Sequence, residues 1–509
     1  MVEFRFTENS HLPRLAWCAK LARATASVLV EHGPWVETGS SYFAEGVWNG
    51  AFAQPNFVTA EIMLGSGGSL HHGKPAFTPT THTMERLYSL RRNDELFVSN
   101  SLAYVLEATE SRLNPKNWSY ESALMTFLRG YKRAVGQLRL ADDRIVEIHY
   151  HRTIVVGDEL TIAAVEPPAP PSFKTYREYL DYLYETLERL RNNAADAARK
   201  VRYEPLATIS SGFDSPACAV LAKHIGCRRS VTFAAARQAF APELQSTDDS
   251  GAQIAAALDL PVETFSRDGY LRAGDFPEVP FLATGSGGDD VVLSALGPRL
   301  ERAMLFTGML GDTLWGVSGQ DPEVSKEYRF RFPAGGSLQE YRLGVGFVHV
   351  PIPLLTFTRH AEIQAISRSA EMAPWRLGGD YDRPIPRRLV EEAGVPRAAF
   401  AREKRAITQP FWLQRASEKT MSARSLADFR EYLARSARDY VLGGVQMRAR
   451  AFARKKYYGM RRRIRAVLPD DPYFSPAYEA AATSEPLRFH WAVEKQRTAY
   501  RVTALRPAT

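Results

Sequence analysis

Apolar and polar positions alternate through "LYSLRRNDELFVSN" (Leu87 to Asn100), and Asn93 and Asp94 in its middle predict a hairpin turn. Similar β-rich text precedes it, so the chain before Val165 is expected to form a mostly β domain with a few helices. The period then changes. In "KTYREYLDYLYETLERLRNN" the residues Tyr176, Tyr179, Leu180, Leu183, Leu187 and Leu190 recur at helical spacing, which predicts an amphipathic helix with one buried face. Short apolar runs next alternate with helical stretches: "PLATIS", a helix from Pro216, "SVTFAAA", a helix from about Asp248 to Leu258, "PVETFS", a helix near Val291, and "AMLFTG". That rhythm predicts an α/β fold with a doubly wound, mainly parallel sheet. Beyond about Gln320 the text is mostly helical and Arg-rich.

The prolines of "VEPPAPPSF" (Val165 to Phe173) favour an extended connection. Predicted boundaries are therefore a β-rich domain over 1–165, a linker over 166–174, an α/β domain over 175–415 and a basic helical extension over 416–509. With 509 residues, 45% hydrophobic and 24% charged, the chain has the composition of a multidomain globular protein. Its longest uncharged apolar run, Gly344 to Thr358, is too short to cross a bilayer, so no membrane helix is expected. The start, "MVEFRFTENSHLPRL", lacks the pattern of a secretory signal. Three cysteines without a CxxC pair argue against a disulfide framework or a zinc site, and a reducing cytoplasm fits. Net charge is +8, concentrated in "RARAFARKKYYGMRRRIR" (Arg448 to Arg465). Such a run is either a solvated helix face or a docking site for nucleic acid, anionic lipid or an acidic glycan.

Candidate chemistry begins in "ATISSGFDSPACAVLAKHIG" (Ala207 to Gly226), where a strand runs through a hydroxyl-rich turn into a helix. Ligands of parallel sheets bind at such strand ends. Gly212 lets the backbone approach an anion, Ser210, Ser211 and Ser215 supply hydroxyls, and the helix start favours negative charge. Asp214 would repel a bare phosphate unless magnesium lies between them. The turn thus reads as a pyrophosphate cradle; a serine-capped helix start followed by Pro216 is the structural alternative. It is not a Walker loop, because GxxxxGK[ST] is absent.

"SSGFDS" resembles the SGGxDS motif of the PP-loop ATP pyrophosphatases, and the surrounding text is most similar to their asparagine-synthetase-like branch. "SVTFAAA" resembles the second strand, "DDSGAQIAAALDLPVETF" the acid-started helix and third strand, and "LFTGMLGDTLWG" the SGEGADELFGG segment. "VPRAAFAREKRA" is similar to the LPxxxxxRxKxGF segment, so the resemblance spans roughly Leu206 to Pro410. It implies ATP and Mg2+ as cofactors, with Asp214 and Asp312 holding the metal and Ser210, Ser211, Gly212 and Ser215 cradling pyrophosphate. Backbone near Ile209 and Phe233 would frame adenine, Thr307 and Gly308 would approach the ribose, and Lys404, with Arg402 beside it, would neutralise phosphate charge. The implied activity is ATP-dependent carbon–nitrogen ligation through an acyl-adenylate.

"RLYSLRRNDELFVSNSLAYVLE" (Arg86 to Glu107) resembles part of the Ntn-type glutaminase domain of the same synthetases. That chemistry needs a cysteine at the mature N-terminus, whereas this chain has Val2 there and an internal Cys18, so no glutaminase activity is expected. Met309 replaces an acid on the acyl-acceptor side and Thr313 the acid after the metal aspartate, which disfavours aspartate as substrate. The expected lysine of the KxxLR segment is replaced by a choice of Arg383, Arg387 and Arg388, with Arg383 the catalytic candidate; arginine carries charge but does not shuttle protons. Expected partners are a carboxylate-bearing small molecule or sugar, a polyanion or anionic surface at the basic tail, and a second copy of the chain. A nucleotide-binding pseudoenzyme or a tRNA-modifying enzyme stays open as an alternative.

Three other features have simpler expectations. "GSGGDD" (Gly285 to Asp290) reads as a flexible loop whose acids start a helix, and "GSGGSLHHG" (Gly65 to Gly73) as a surface loop. Cys218 and Cys227 read as small core residues.

Overall fold

The computed structural model describes residues 2–23, 25–238, 246–317, 328, 333–378, 382–400, 405–411, 414–436 and 487–505. Arg402, Lys404 and the basic stretch Arg448 to Arg465 lie outside the described residues.

The N-terminal part is built from a seven-stranded and a six-stranded sheet. Their alternating strands enclose one core of Phe4, Trp17, Val30, Phe43, Phe77 and Val98, where Trp17 meets Phe43 edge-on at 4.9 Å between ring centroids. The predicted hairpin pairs Leu87–Arg92 with Glu95–Ser99, and Asn93 takes the left-handed backbone at φ 54°. "GSGGSLHHG" is not a surface loop. Most of it belongs to the strand Met63–His71, where Gly65 faces Gly46 of the neighbouring strand. A Cβ on Gly65 would lie 2.1 Å from the Glu45 carbonyl oxygen, so these glycines let two backbones meet.

The α/β part begins with the helix Tyr176–Ala195, which buries the six predicted apolar residues and starts in a capping box between Thr175 and Glu178. Five strands then form one all-parallel sheet: Glu204–Thr208, Ser230–Phe233, Val262–Phe265, Ala303–Thr307 and Val348–Pro351. Their spatial order is third, second, first, fourth, fifth. Strand order therefore reverses between the first and fourth strands, the position at which parallel sheets bind ligands, and the loops leaving these two strands lie against each other.

"GSGGDD" is buried throughout rather than flexible. The carboxylate of Asp290 accepts from the backbone N–H of Gly335 and Ser337 and from the Ser337 hydroxyl, at 2.6–3.0 Å. The stretch that follows, Asp289–Leu300, is 3₁₀ and kinks at Gly297 (φ 45°, ψ −123°) rather than forming one α-helix.

Buried polar groups join the two parts. Arg342, on the helix Gln339–Val345, donates to Glu45 at 2.6 and 2.9 Å and to Glu85 at 2.7–3.0 Å. All three side chains are at most 6% exposed. On the same helix Glu340 accepts from Ser101 and Tyr500 hydroxyls at 2.6 Å and from Gln496 at 3.2 Å, tying in the helix Leu487–Arg497. Burial pushes the Glu340 carboxyl up to about 7. A carboxyl whose folded pKa exceeds its ordinary 4.5 contributes stability that is fully present below pH 4.5 and lost as pH rises through about 7. Unfolding free energy is therefore expected to fall across that window in chemical denaturation, and Glu340→Gln should flatten the slope.

Candidate functional site

The turn "SSGFDS" sits where the sequence put it, between the first parallel strand and the helix Asp214–His224. Its hydroxyls are held in place. Ser210 and Ser215 share a hydrogen bond at 2.8 Å, the Gly212 N–H donates to Ser210 at 3.3 Å, and the Ser211 hydroxyl donates to Asp249 at 2.6 Å. The Ser211 N–H also donates to the Asp249 carbonyl, at 3.2 Å. Asp249 is buried and belongs to the acid-rich "DDSG" preceding the helix Ala252–Ala257, a short helix where the sequence predicted one from about Asp248 to Leu258. Its partner was not readable locally.

The fourth strand delivers "GMLGDTLWG" onto the same turn. A Cβ on Gly308 would lie 2.4 Å from the backbone carbon of Asp214, and one on Gly311 2.9 Å from its Cγ. Only glycine permits this approach, which brings the stretch carrying half-buried Asp312 against Asp214. Between them Leu310 takes a left-handed backbone (φ 65°), a strained conformation for a branched residue. Gly308→Ala is accordingly expected to cost about 1–3 kcal/mol through overpacking. Thermal unfolding of the variant should show the loss.

Asp214 has two distinct oxygens. Its Oδ2 forms an ion pair with Arg383, which precedes the helix Pro384–Glu392, whereas its Oδ1 is buried without a hydrogen-bond partner. A buried carboxylate oxygen left unpaired is costly unless a cation completes it. Of the three candidate arginines, only Arg383 is on this acid. Arg387 donates to Glu391 and the Trp375 carbonyl, and Arg388 pairs with Glu371 and Glu392 while stacking over Tyr176.

Past the helix, Phe400 and Arg405 of "VPRAAFAREKRA" also reach this turn. Phe400 packs against Phe213 with the rings tilted by 32° and 4.9 Å apart, and Arg405 donates to the Ser211 hydroxyl at 3.3 Å and to the Asp248 carbonyl. Arg405 was not singled out in the sequence, although it adjoins Lys404.

Ile209 and Phe233 are buried at the ends of the first and second strands. Thr307 is turned inward. Its hydroxyl bonds His349 at 2.8 Å and its carbonyl accepts from the Cys218 thiol at 3.4 Å, so Gly308, not the Thr307 side chain, lies against the turn. Burial drives His349 down to about 3, keeping it neutral. Met309 points toward Gly335 and Met84: a Cβ on Gly335 would meet the sulfurs at 3.0 and 3.2 Å.

Among the described residues, no group of three or more His, Cys, Asp or Glu side chains is placed to hold a metal. Two carboxylates plus phosphate oxygens are the donor set that suits magnesium, which usually keeps several waters. The residues therefore fit Mg2+ delivered with a nucleotide better than a resident ion. Cys18 lies fully buried within the strand Trp17–Ala22, and burial pushes its thiol well up, so it is not an accessible nucleophile. Cys218 and Cys227 are also buried thiols. A scan against protein-family models and a search of curated proteins find no match for this chain.

Proposed function

We propose that the chain is an ATP-dependent carbon–nitrogen ligase of the PP-loop, asparagine-synthetase-like type. It would activate a carboxylate as its adenylate and pass the acyl group to an amine. The observation that carries this reading is the meeting of Ser210–Ser215 and Gly308–Asp312 with two residues from further along the chain, Phe400 and Arg405, at the reversal point of a parallel sheet. The unpartnered Oδ1 of Asp214 supports a cation there.

In this reading Asp214 and Asp312 hold Mg2+, which supplies charge neutralisation for the triphosphate. Gly212 and the serines lie against the departing pyrophosphate, and Arg405 adds positive charge beside Ser211. A substrate carboxylate oxygen attacks the α-phosphorus, and the bond to pyrophosphate breaks. The amine nitrogen then attacks the acyl carbon, AMP leaves, and the nitrogen gives up a proton. Arg383 orients Asp214 and, with a cation on that acid, would be free to pair with phosphate. No intrinsic glutaminase is proposed, so the amine comes from free ammonia, a separate donor or the substrate itself. In this reading Gly308 approaches the ribose, and the Thr307 hydroxyl, bonded to His349, does not.

The test is magnesium-dependent exchange of pyrophosphate into ATP across a panel of carboxylates. Stimulation by one class supports ligation. Tight ATP binding without exchange for any member favours the nucleotide-binding pseudoenzyme instead.

A further inference from the structure

A cavity of about 310 Å3 opens where the linker prolines Pro167, Pro168 and Pro170 cross between the β-rich and α/β parts. Part of its wall is aromatic. The Tyr131 ring lies 4.8 Å from His151, His151 lies 5.3 Å from Phe357, and Tyr328 lies 6.0 Å from Phe357. Two carboxylates also line it. Glu166 accepts from the Tyr131 hydroxyl at 3.2 Å, and Glu61 accepts from the Tyr182 hydroxyl. Among the described residues the lining cation is Lys132, whose ammonium lies 5.6 Å from the centre of the Tyr131 ring; Arg152, outside the lining, reaches Glu166 at 4.0 Å, and burial lowers His151 so that it is neutral near pH 7.

Aromatic faces beside two acids, of which Glu61 is held by a tyrosine hydroxyl rather than by a cation, favour a cation over an anion or a neutral ligand. Size is a second constraint, because a water-sized nucleophile such as ammonia needs only about 30 Å3. The space instead matches the lower end of organic-ligand pockets. Location is the third. The Tyr328 hydroxyl approaches the carbonyl of Leu310, two residues before Asp312, at 3.5 Å, so one tyrosine separates the cavity from the stretch that carries this acid.

We infer that this cavity binds the acyl acceptor of the ligase as an organic primary ammonium with an apolar or aromatic body, rather than free ammonia. The inference rests on the ligase reading for the acceptor role, but the cation site stands on its own geometry. Bound there, the amine lies one side chain from the stretch that carries Asp312 and becomes a nucleophile only after losing its proton.

Calorimetry on the full chain, with benzylamine and the near-isosteric benzyl alcohol as probes, tests it. Benzylamine should bind at least about tenfold more tightly than the alcohol, a preference of cation–π size. Phe357→Leu and Glu166→Gln should each weaken the amine by about tenfold, and the half-exposed Glu166 makes the second change tolerable to the fold. Asp312→Asn should leave amine binding intact. Equal binding of alcohol and amine, or binding unaffected by both cavity variants, overturns the inference. Amine binding that behaves as expected in a protein with no pyrophosphate exchange supports the cation site and counts against the ligase reading alone.

Discussion

Asp312→Asn is expected to lower pyrophosphate exchange by about a hundredfold to a thousandfold while leaving the fold intact. Removing one carboxylate from a shared cation sacrifices charge stabilisation in the crowded phosphate-transfer step, and deletion of a single preorganised electrostatic group commonly has an effect of this size. Asp312 is half-buried at the start of the short helix Gly311–Leu314, so the amide is sterically tolerable there. Asp214→Asn should be as damaging to exchange but less clean, because it also weakens the partner of Arg383. Raising magnesium should partly rescue Asp312→Asn if the metal is held more weakly. Exchange rates measured across a magnesium series, with circular dichroism as the fold control, check both points. Identical background turnover in wild type and variant would remove the catalytic role of Asp312.

The second large effect concerns the joint between the two parts. Arg342→Met should destabilise the protein by roughly 3–5 kcal/mol, the usual result of removing one member of a buried ion network. The loss is not the worth of the contacts alone. It arises mainly because Glu45 and Glu85 stay buried with their countercharge gone, and burial already pushes Glu85 upward even with Arg342 present. A compensated variant, Arg342→Met with Glu45→Gln and Glu85→Gln, should recover much of the stability. Urea unfolding followed by tryptophan fluorescence distinguishes the two, and a single variant as stable as wild type would contradict the explanation.

Local pattern carried much of this fold. The helix Tyr176–Ala195 was readable because its apolar residues follow one face, and the hairpin at Asn93 because alternation breaks at a turn-forming residue. The parallel sheet was legible in the rhythm of apolar runs, and the turn at Ser210–Ser215 lies at a strand end as expected. Glycine-rich text misled twice. In Gly65 to Gly73 glycine serves close backbone pairing, and in Gly285 to Asp290 it lets a loop thread the interior, uses that composition alone does not separate from a solvent loop.

Long-range polar partners were invisible for a different reason. Arg342 reads locally as a charged helix residue and Asp249 as one of several acids before a helix; their burial depends on Glu45, Glu85 and Ser211, far away in sequence. Likewise "DRPIPRRLVEE" offered three arginines without ranking Arg383 by geometry, since only the packing of its helix against Asp214–His224 turns that one toward the acid.

Everything in the proposed chemistry depends on Asp214 and Asp312 sharing one divalent cation with a nucleotide. The direct measurement is anomalous diffraction from crystals grown with Mn2+ and a non-hydrolysable ATP analogue. The account predicts a manganese peak bonded to oxygens of both carboxylates and of the triphosphate, with the Arg383 side chain withdrawn from Asp214. A nucleotide bound elsewhere, or a manganese ion that touches neither acid, would contradict it.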